Sequence, residues 1–194
     1  DFDAGGGANS SLTVAMSSSV TTVDLANNSF MDGVGGLPTI QFGTTANSAI
    51  SSVRAITVNG ANAVTNELSV LGVGGATVVS QLNFNGADSD GTDDLDVLTL
   101  GLVSSGNSVI VTPTSARAAT IQHVASGLTV DVSGLAAQSS RLVLTGGAGM
   151  DELTVVGSSQ VDAFTSTTGL VALTSDSLAR LPVSYSALES LTLN

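Results

Sequence analysis

Five carboxylates fall within nine residues at Asp88-Ser89-Asp90-Gly91-Thr92-Asp93-Asp94-Leu95-Asp96. At that density their mutual repulsion has to be offset, either by a bound cation or by water and salt. Calcium is the cation that suits such hard oxygen donors, and Asp-x-Asp-Gly is the spacing found at the centre of twelve-residue calcium loops. Counted that way, the first loop position would be Gly86 and the twelfth would be Val97 instead of glutamate. A solvated acidic turn therefore stands beside calcium as a second reading. Another acidic point lies in Gly146-Gly147-Ala148-Gly149-Met150-Asp151-Glu152-Leu153, one copy of the G-G-x-G-x-D-x-U calcium repeat. There the glycines let carbonyl oxygens face the ion, the aspartate supplies charge and the next apolar residue anchors a strand. Calcium in such repeats is shared between adjacent turns, yet Asn66 and Ser10 occupy the positions matching Asp151 elsewhere. A plain glycine turn is the alternative there. The candidate metal ligands are thus Asp88, Asp90, Asp93, Asp94, Asp96 and Asp151, with Ca2+ as the ion.

Little else in the chain carries chemistry. Cysteine and lysine are absent, the four basic residues are Arg54, Arg117, Arg141 and Arg180, and His123 is the single histidine. A nucleophilic serine or threonine needs a base, and only one histidine is present to serve. No nucleophile-elbow, phosphate-loop or zinc motif occurs. His123 in Thr120-Ile121-Gln122-His123-Val124 is expected to point outward from a strand. The chain is read as not an enzyme. The competing reading is a glycan-cleaving or glycan-binding module, in which Arg117 or His123 would meet an aspartate cluster in an open groove.

With 16 acidic residues against four basic ones, the net charge of -12 argues against nucleic acid and against anionic membrane surfaces. No apolar run approaches the roughly 20 residues a membrane-spanning helix needs. Aromatic content is only 3%, so stacking platforms for sugars are not expected. Asn9-Ser10-Ser11 and Asn27-Asn28-Ser29 fit the glycosylation sequon, and surface glycans are the partner that the glycan-binding alternative would take.

The elements that would position these residues alternate with period two. Apolar-alternating segments recur about every dozen residues, separated by Gly, Asn, Ser and Asp clusters, which predicts an all-β fold. One unit repeats: Ala55-Ile56-Thr57-Val58-Asn59-Gly60 leads to Asn66-Glu67-Leu68-Ser69-Val70. Gln81 to Gly86 leads likewise to Asp96-Val97-Leu98-Thr99-Leu100, and Arg141 to Gly146 leads to Asp151-Glu152-Leu153-Thr154-Val155. Taking Ile56, Leu82, Leu142 and Leu191 as equivalent anchors gives a parallel β-solenoid of roughly 25–30 residues per coil. It would form a single domain over residues 1–194, one segment of a longer array or filament. A β-sandwich built from hairpins is the alternative. Leu82, Leu98, Leu142, Leu153 and Leu191 are expected to point inward. Asn59, Asn85 and Asn194 are expected at equivalent corners, stacked as an asparagine ladder.

Asn85-Gly86-Ala87-Asp88 through Asp96-Val97-Leu98-Thr99-Leu100, with Val109-Ile110-Val111-Thr112-Pro113-Thr114, resembles repeat regions of very large bacterial surface proteins of the planctomycete and cyanobacterial type. Val183-Ser184-Tyr185-Ser186-Ala187-Leu188-Glu189-Ser190-Leu191-Thr192-Leu193-Asn194 is similar to another recurring piece of them. The resemblance implies secretion to the cell surface, a β-solenoid with degenerate GGxGxDxL turns, and a structural or adhesive role. The expected function is a structural module of an extracellular filament, stalk, sheath or adhesin that associates end to end. Its alternative is the glycan-acting module.

Overall fold

The computed structural model describes residues 10–16, 20–25, 29–32, 40–41, 53–61, 65–74, 79–86, 96–103, 106–135 and 141–194. These residues are strands and turns, as the period-two patterning predicts. The strands are β1 (Ser10–Ala15), β2 (Val20–Asp24), β3 (Ser29–Asp32), β4 (Ile40–Gln41), β5 (Val53–Asn59) and β6 (Glu67–Val73). Next come β7 (Gln81–Asn85), β8 (Val97–Leu102), β9 (Ser108–Ser115), β10 (Ala118–His123), β11 (Thr129–Ser133) and β12 (Leu142–Thr145). The last six are β13 (Glu152–Val155), β14 (Asp162–Thr167), β15 (Leu170–Ser175), β16 (Leu178–Ala179), β17 (Val183–Ser186) and β18 (Ser190–Leu193).

They form two mixed, open sheets. The eight-stranded sheet has the order β1-β5-β7-β11-β10-β9-β13-β18. The ten-stranded sheet has the order β14-β15-β17-β12-β8-β6-β2-β3-β4, with β16 paired to β15. The chain passes from one sheet to the other and back. Each time it returns to a sheet it pairs in parallel with the strand of the previous visit. The antiparallel pairings lie within three excursions, β2-β3-β4, β9-β10-β11 and β14 to β17.

One apolar core lies between the sheets. Alternation puts Ile56, Val58, Leu82, Leu153 and Val155 of one sheet, and Leu68, Leu98, Leu100, Leu142 and Leu144 of the other, at 0% exposure. Side-chain volume here is aliphatic, with Phe84 the largest of the fully buried residues. Of the five leucines expected inward, four are fully buried, and Leu191 is half-buried against the same cluster.

The register corrects the anchor alignment. Ile56 and Leu82 are direct partners, but Leu142 pairs with Leu98 in the other sheet, and Leu191 pairs with Leu153. The excursion β9-β10-β11 spends three strands in one sheet. The copies that start on β5 and β7 leave the eight-stranded sheet, whereas the copy that starts on β12 leaves the ten-stranded sheet and crosses in the opposite direction. The same slip separates the asparagines. Asn59 and Asn85 are register partners, whereas Asn194 lies beside Val155 and Gly157. Ala15 and Ser133 occupy the levels flanking Asn59 and Asn85, so the asparagines do not continue.

Candidate functional site

Each copy of the unit ends a strand on glycine and enters the next strand on Asn or Asp. The backbone turns sharply at the glycine, and the Asx side chain folds back beneath it. A Cβ on Gly86 would stand 2.5 Å from Asp96 Oδ2, and one on Gly146 would stand 2.8 Å from Asp151 Oδ2. Only glycine leaves room for the carboxylate. In two copies the Asx side chain then caps the turn: the Asp151 carboxylate oxygen Oδ2 accepts the Gly147 N–H at 2.7 Å, and the Asn66 amide oxygen Oδ1 accepts the Ala61 N–H at 3.0 Å.

The other oxygen reaches the neighbouring turn of chain. Asp96 Oδ1 accepts from the Asn66 backbone N–H at 2.6 Å and from Asn66 Nδ2 at 3.0 Å, across 30 residues of sequence. Asp151 Oδ1 accepts from the Asn107 N–H at 2.8 Å and from Asn107 Nδ2 at 2.7 Å, across 44 residues. The Asp151 N–H in turn donates to Glu189 Oε2 at 2.8 Å, across 38 residues. Asn66, Asp96, Asn107 and Asp151 are all buried. These are two separate ladders of strand-entry residues, Asn66 with Asp96 and Asn107 with Asp151 and Glu189.

From Asn107 the polar chain continues inward. Asn107 Nδ2 also donates to the Val103 carbonyl at 3.0 Å, and Asn107 Oδ1 lies 3.1 Å from His123 Nε2. His123 Nδ1 accepts the Ser126 N–H at 3.1 Å and lies 2.8 Å from Ser126 Oγ. An Nδ1 that accepts leaves the ring proton on Nε2, where it donates to Asn107. The ring is 3% exposed, and this burial lowers its pKa below the ordinary histidine value. His123 therefore points inward, which corrects the outward expectation. Its parity was readable, because Ala119 and Ile121 on the same strand are the buried residues. Chemically the chain links the buried carboxylate of Asp151 through an amide and a neutral imidazole to the exposed hydroxyl of Ser126.

A third carboxylate repeats the corner. Asp162 Oδ2 accepts the Ser158 N–H at 2.7 Å, and Ser158 Oγ donates to Asp162 Oδ1 at 3.2 Å. The Ser175 hydroxyl first, then these two Ser158 groups and the charge of Arg180, lower its pKa against an opposing push from desolvation.

Among the sequence-derived candidates, Asp88, Asp90, Asp93 and Asp94 lie outside the described residues, as do the sequon residues Asn9 and Asn27. Asp96 and Asp151 stand in separate ladders, and both oxygens of Asp151 face N–H donors. Among the described residues no three His, Asp or Glu side chains converge on one point. Arg117 Nε donates to the Leu135 carbonyl at 3.1 Å. An open cleft of ≈ 240 Å³ lined by Met150, Asp151, Glu152 and Ser190 lies beside the ladder. It is smaller than the 300–1,000 Å³ typical of small-molecule sites.

Outer faces carry a lateral ladder of their own. Asn83 Nδ2 donates to Thr57 Oγ1 at 3.2 Å, and Gln81 Nε2 donates to Asp131 Oδ2 at 2.8 Å. Asn107, Glu189 and Ser126 escaped the sequence reading. The signal for the first was its place just before a strand, the position held by Asp96 and Asp151. No protein-family model matches this chain, and no curated protein or solved structure proved similar to it.

Proposed function

We propose that this chain is a flattened β-solenoid that serves as a structural module of an extracellular or cell-surface filament, stalk, sheath or adhesin. One observation carries the reading: every return of the chain to a sheet is parallel, with inward residues stacked on inward residues. The buried ladders add to it, because they join one turn to the next and not the two ends of a hairpin. A module built this way works mechanically. Load along the stack is shared by backbone ladders whose bonds must break together, and the acidic, lysine-free surface keeps the module soluble.

Single-molecule pulling tests this. In a solenoid each coil contacts only its neighbours, so the chain yields in successive steps. Register offsets of 26 to 48 residues between parallel-stacked strands predict length increments of about 9–17 nm at about 3.6 Å per residue. One all-or-none event releasing the whole chain would contradict the reading and favour a sandwich.

A further inference from the structure

His123 is held tightly on one side of its ring and loosely on the other. On the Nε2 side, Asn107 Oδ1 receives the ring proton at 3.1 Å, and the Asn107 amide is fixed by the Val103 carbonyl and by Asp151. Gly74, which follows β6, presses on the same edge: a Cβ there would stand 2.7 Å from Nε2 and 2.6 Å from Asn107 Oδ1. The Nδ1 side faces the turn 124–127, whose residues are all exposed, Val124 to 51%. A Cβ on Gly127 would meet nothing within 4 Å. The ring's way to water therefore runs past this turn.

Two kinds of bond keep the turn in place. The backbone closes it, with the His123 N–H donating to the Leu128 carbonyl and the Gly127 N–H to the His123 carbonyl. The second tie is to the ring, where Nδ1 accepts the Ser126 N–H and lies 2.8 Å from Ser126 Oγ. A proton on Nδ1 takes away the lone pair that the Ser126 N–H uses, because imidazolium offers donors only. The carboxylate nearest to the ring along its hydrogen bonds is Asp151, with Asn107 between them. On the other elements around it, Glu152 opens β13 beside Ser108 and is exposed, Asp131 of β11 accepts from Thr120 and Gln81, and Glu67 starts β6 at the end away from Gly74. Arg117 lies at the opposite end of β10, bonded to the Leu135 carbonyl. Besides His123, neither β9 and β10 nor the sequence at 75–78 and 104–105 holds a titratable side chain. Burial is what opposes a proton on this ring, and water reaching the ring removes that opposition.

We infer that the turn 124–127 is an acid-operated device: a proton on His123 Nδ1 releases Ser126 from the ring and opens the turn to water, while the Asn107–Asp151 ladder stays closed. The ladder holds because the Nε2 proton is present in both forms of the ring, so Asn107 keeps its donor. The bonds from Asn107 to Asp151 do not involve the ring at all. Acid thus changes one exposed turn without loosening the corner that fastens the entry of β13 to the segment entering β9. The inference uses only bonds within this hairpin and this corner, so it stands or falls apart from the solenoid reading.

The test is amide exchange followed by NMR on the isotope-labelled chain, from about pH 7.5 down to about pH 4.5, across the range of histidine titration. Base-catalysed exchange slows in acid, so a loss of protection there reports opening. Opening at Ser126 is expected to rise about tenfold for each pH unit below about 6.5, until the folded ring itself titrates. Asn107 and Gly147, whose N–H groups are held by Asp151, should keep their protection throughout. In His123→Gln, opening at Ser126 should no longer depend on pH. Opening that ignores pH in the parent, that rises equally in the variant, or that is accompanied by lost protection at Asn107 and Gly147 would overturn the inference. The ring's own titration, followed at its Cε1 proton, decides the matter even where the variant fails to fold. A ring that takes up its proton while Ser126 stays protected would overturn it too.

Discussion

Asp151 Oδ1 holds both the backbone N–H and the side-chain amide of Asn107, at 2.8 and 2.7 Å, from 44 residues away in sequence. Its partner oxygen holds the Gly147 N–H, so a single buried carboxylate closes its own turn and fastens that turn to the segment entering β9. Asp151→Ala would leave three donors without their acceptor. At about 1–3 kcal/mol for each unsatisfied buried group, a loss of 3 kcal/mol or more is expected, read as a lower urea midpoint at constant slope. Asp151→Asn keeps an acceptor for Asn107 but turns an N–H₂ toward Gly147, so an intermediate loss is expected. A loss below about 1 kcal/mol for the alanine variant would remove the ladder from the account.

The glycine beneath the corner is tested by a matched pair. Gly146→Ala places a methyl against the Ala187 carbonyl and the Asp151 carboxylate. Gly127→Ala meets nothing within 4 Å and suffers only the strain of its positive φ. The second change should cost about 1 kcal/mol and the first clearly more, because backbone has to move. Equal costs in chemical denaturation would show that the close approach relaxes freely.

His123 makes stability depend on pH in one direction. Its folded pKa lies below the ordinary value of 6.5, so between the two the unfolded chain binds more protons. Its contribution is complete above about pH 6.5 and is lost as the pH falls from there through the folded pKa. The nearest carboxylate along its hydrogen bonds is Asp151, reached through Asn107. Denaturation at a series of pH values should show this decline in the parent and a flatter profile in His123→Gln. Asp162 acts lower down. Its folded pKa is depressed below 3.8, so its contribution is present above that pH and fades as the pH falls further. A parent profile that is flat between pH 6.5 and the acid range would contradict the burial of the imidazole.

The core can be tested at Leu153, which is 0% exposed between Val109 and Leu191. Leu153→Ala should cost about 2–5 kcal/mol. A loss under 1 kcal/mol would mean that the inward row is misplaced.

Local features were legible in the sequence, and distant pairings were not. Period-two alternation named the inward leucines, because the pleat fixes parity within each strand. The same rule applied to His123 would have placed it beside Ala119 and Ile121. The Gly-to-Asx unit was visible as a repeat, yet nothing in it tells which sheet it starts from: β5 and β7 start in one sheet and β12 in the other. Nothing local in Ser108–Ser133 announces that β9, β10 and β11 stay together before the crossing to Leu142. The bond from Asp151 to Asn107 spans that excursion, so its partner was hidden although Asp151 itself was singled out.

The parallel pairing on which the solenoid reading rests can be measured directly, because the chain has no cysteine of its own. Thr57 and Asn83 are register partners on β5 and β7 in one sheet, and Ser69 and Thr99 are partners on β6 and β8 in the other. Adjacent strands bring Cα atoms to about 4.8 Å, within the range a disulfide spans. Thr57→Cys with Asn83→Cys, and separately Ser69→Cys with Thr99→Cys, should each oxidise within the monomer to a near-quantitative disulfide. The mixed pair Thr57→Cys with Thr99→Cys, on opposite sheets, should stay reduced. Failure of both matched pairs, or equal oxidation of the mixed pair, would contradict the coil.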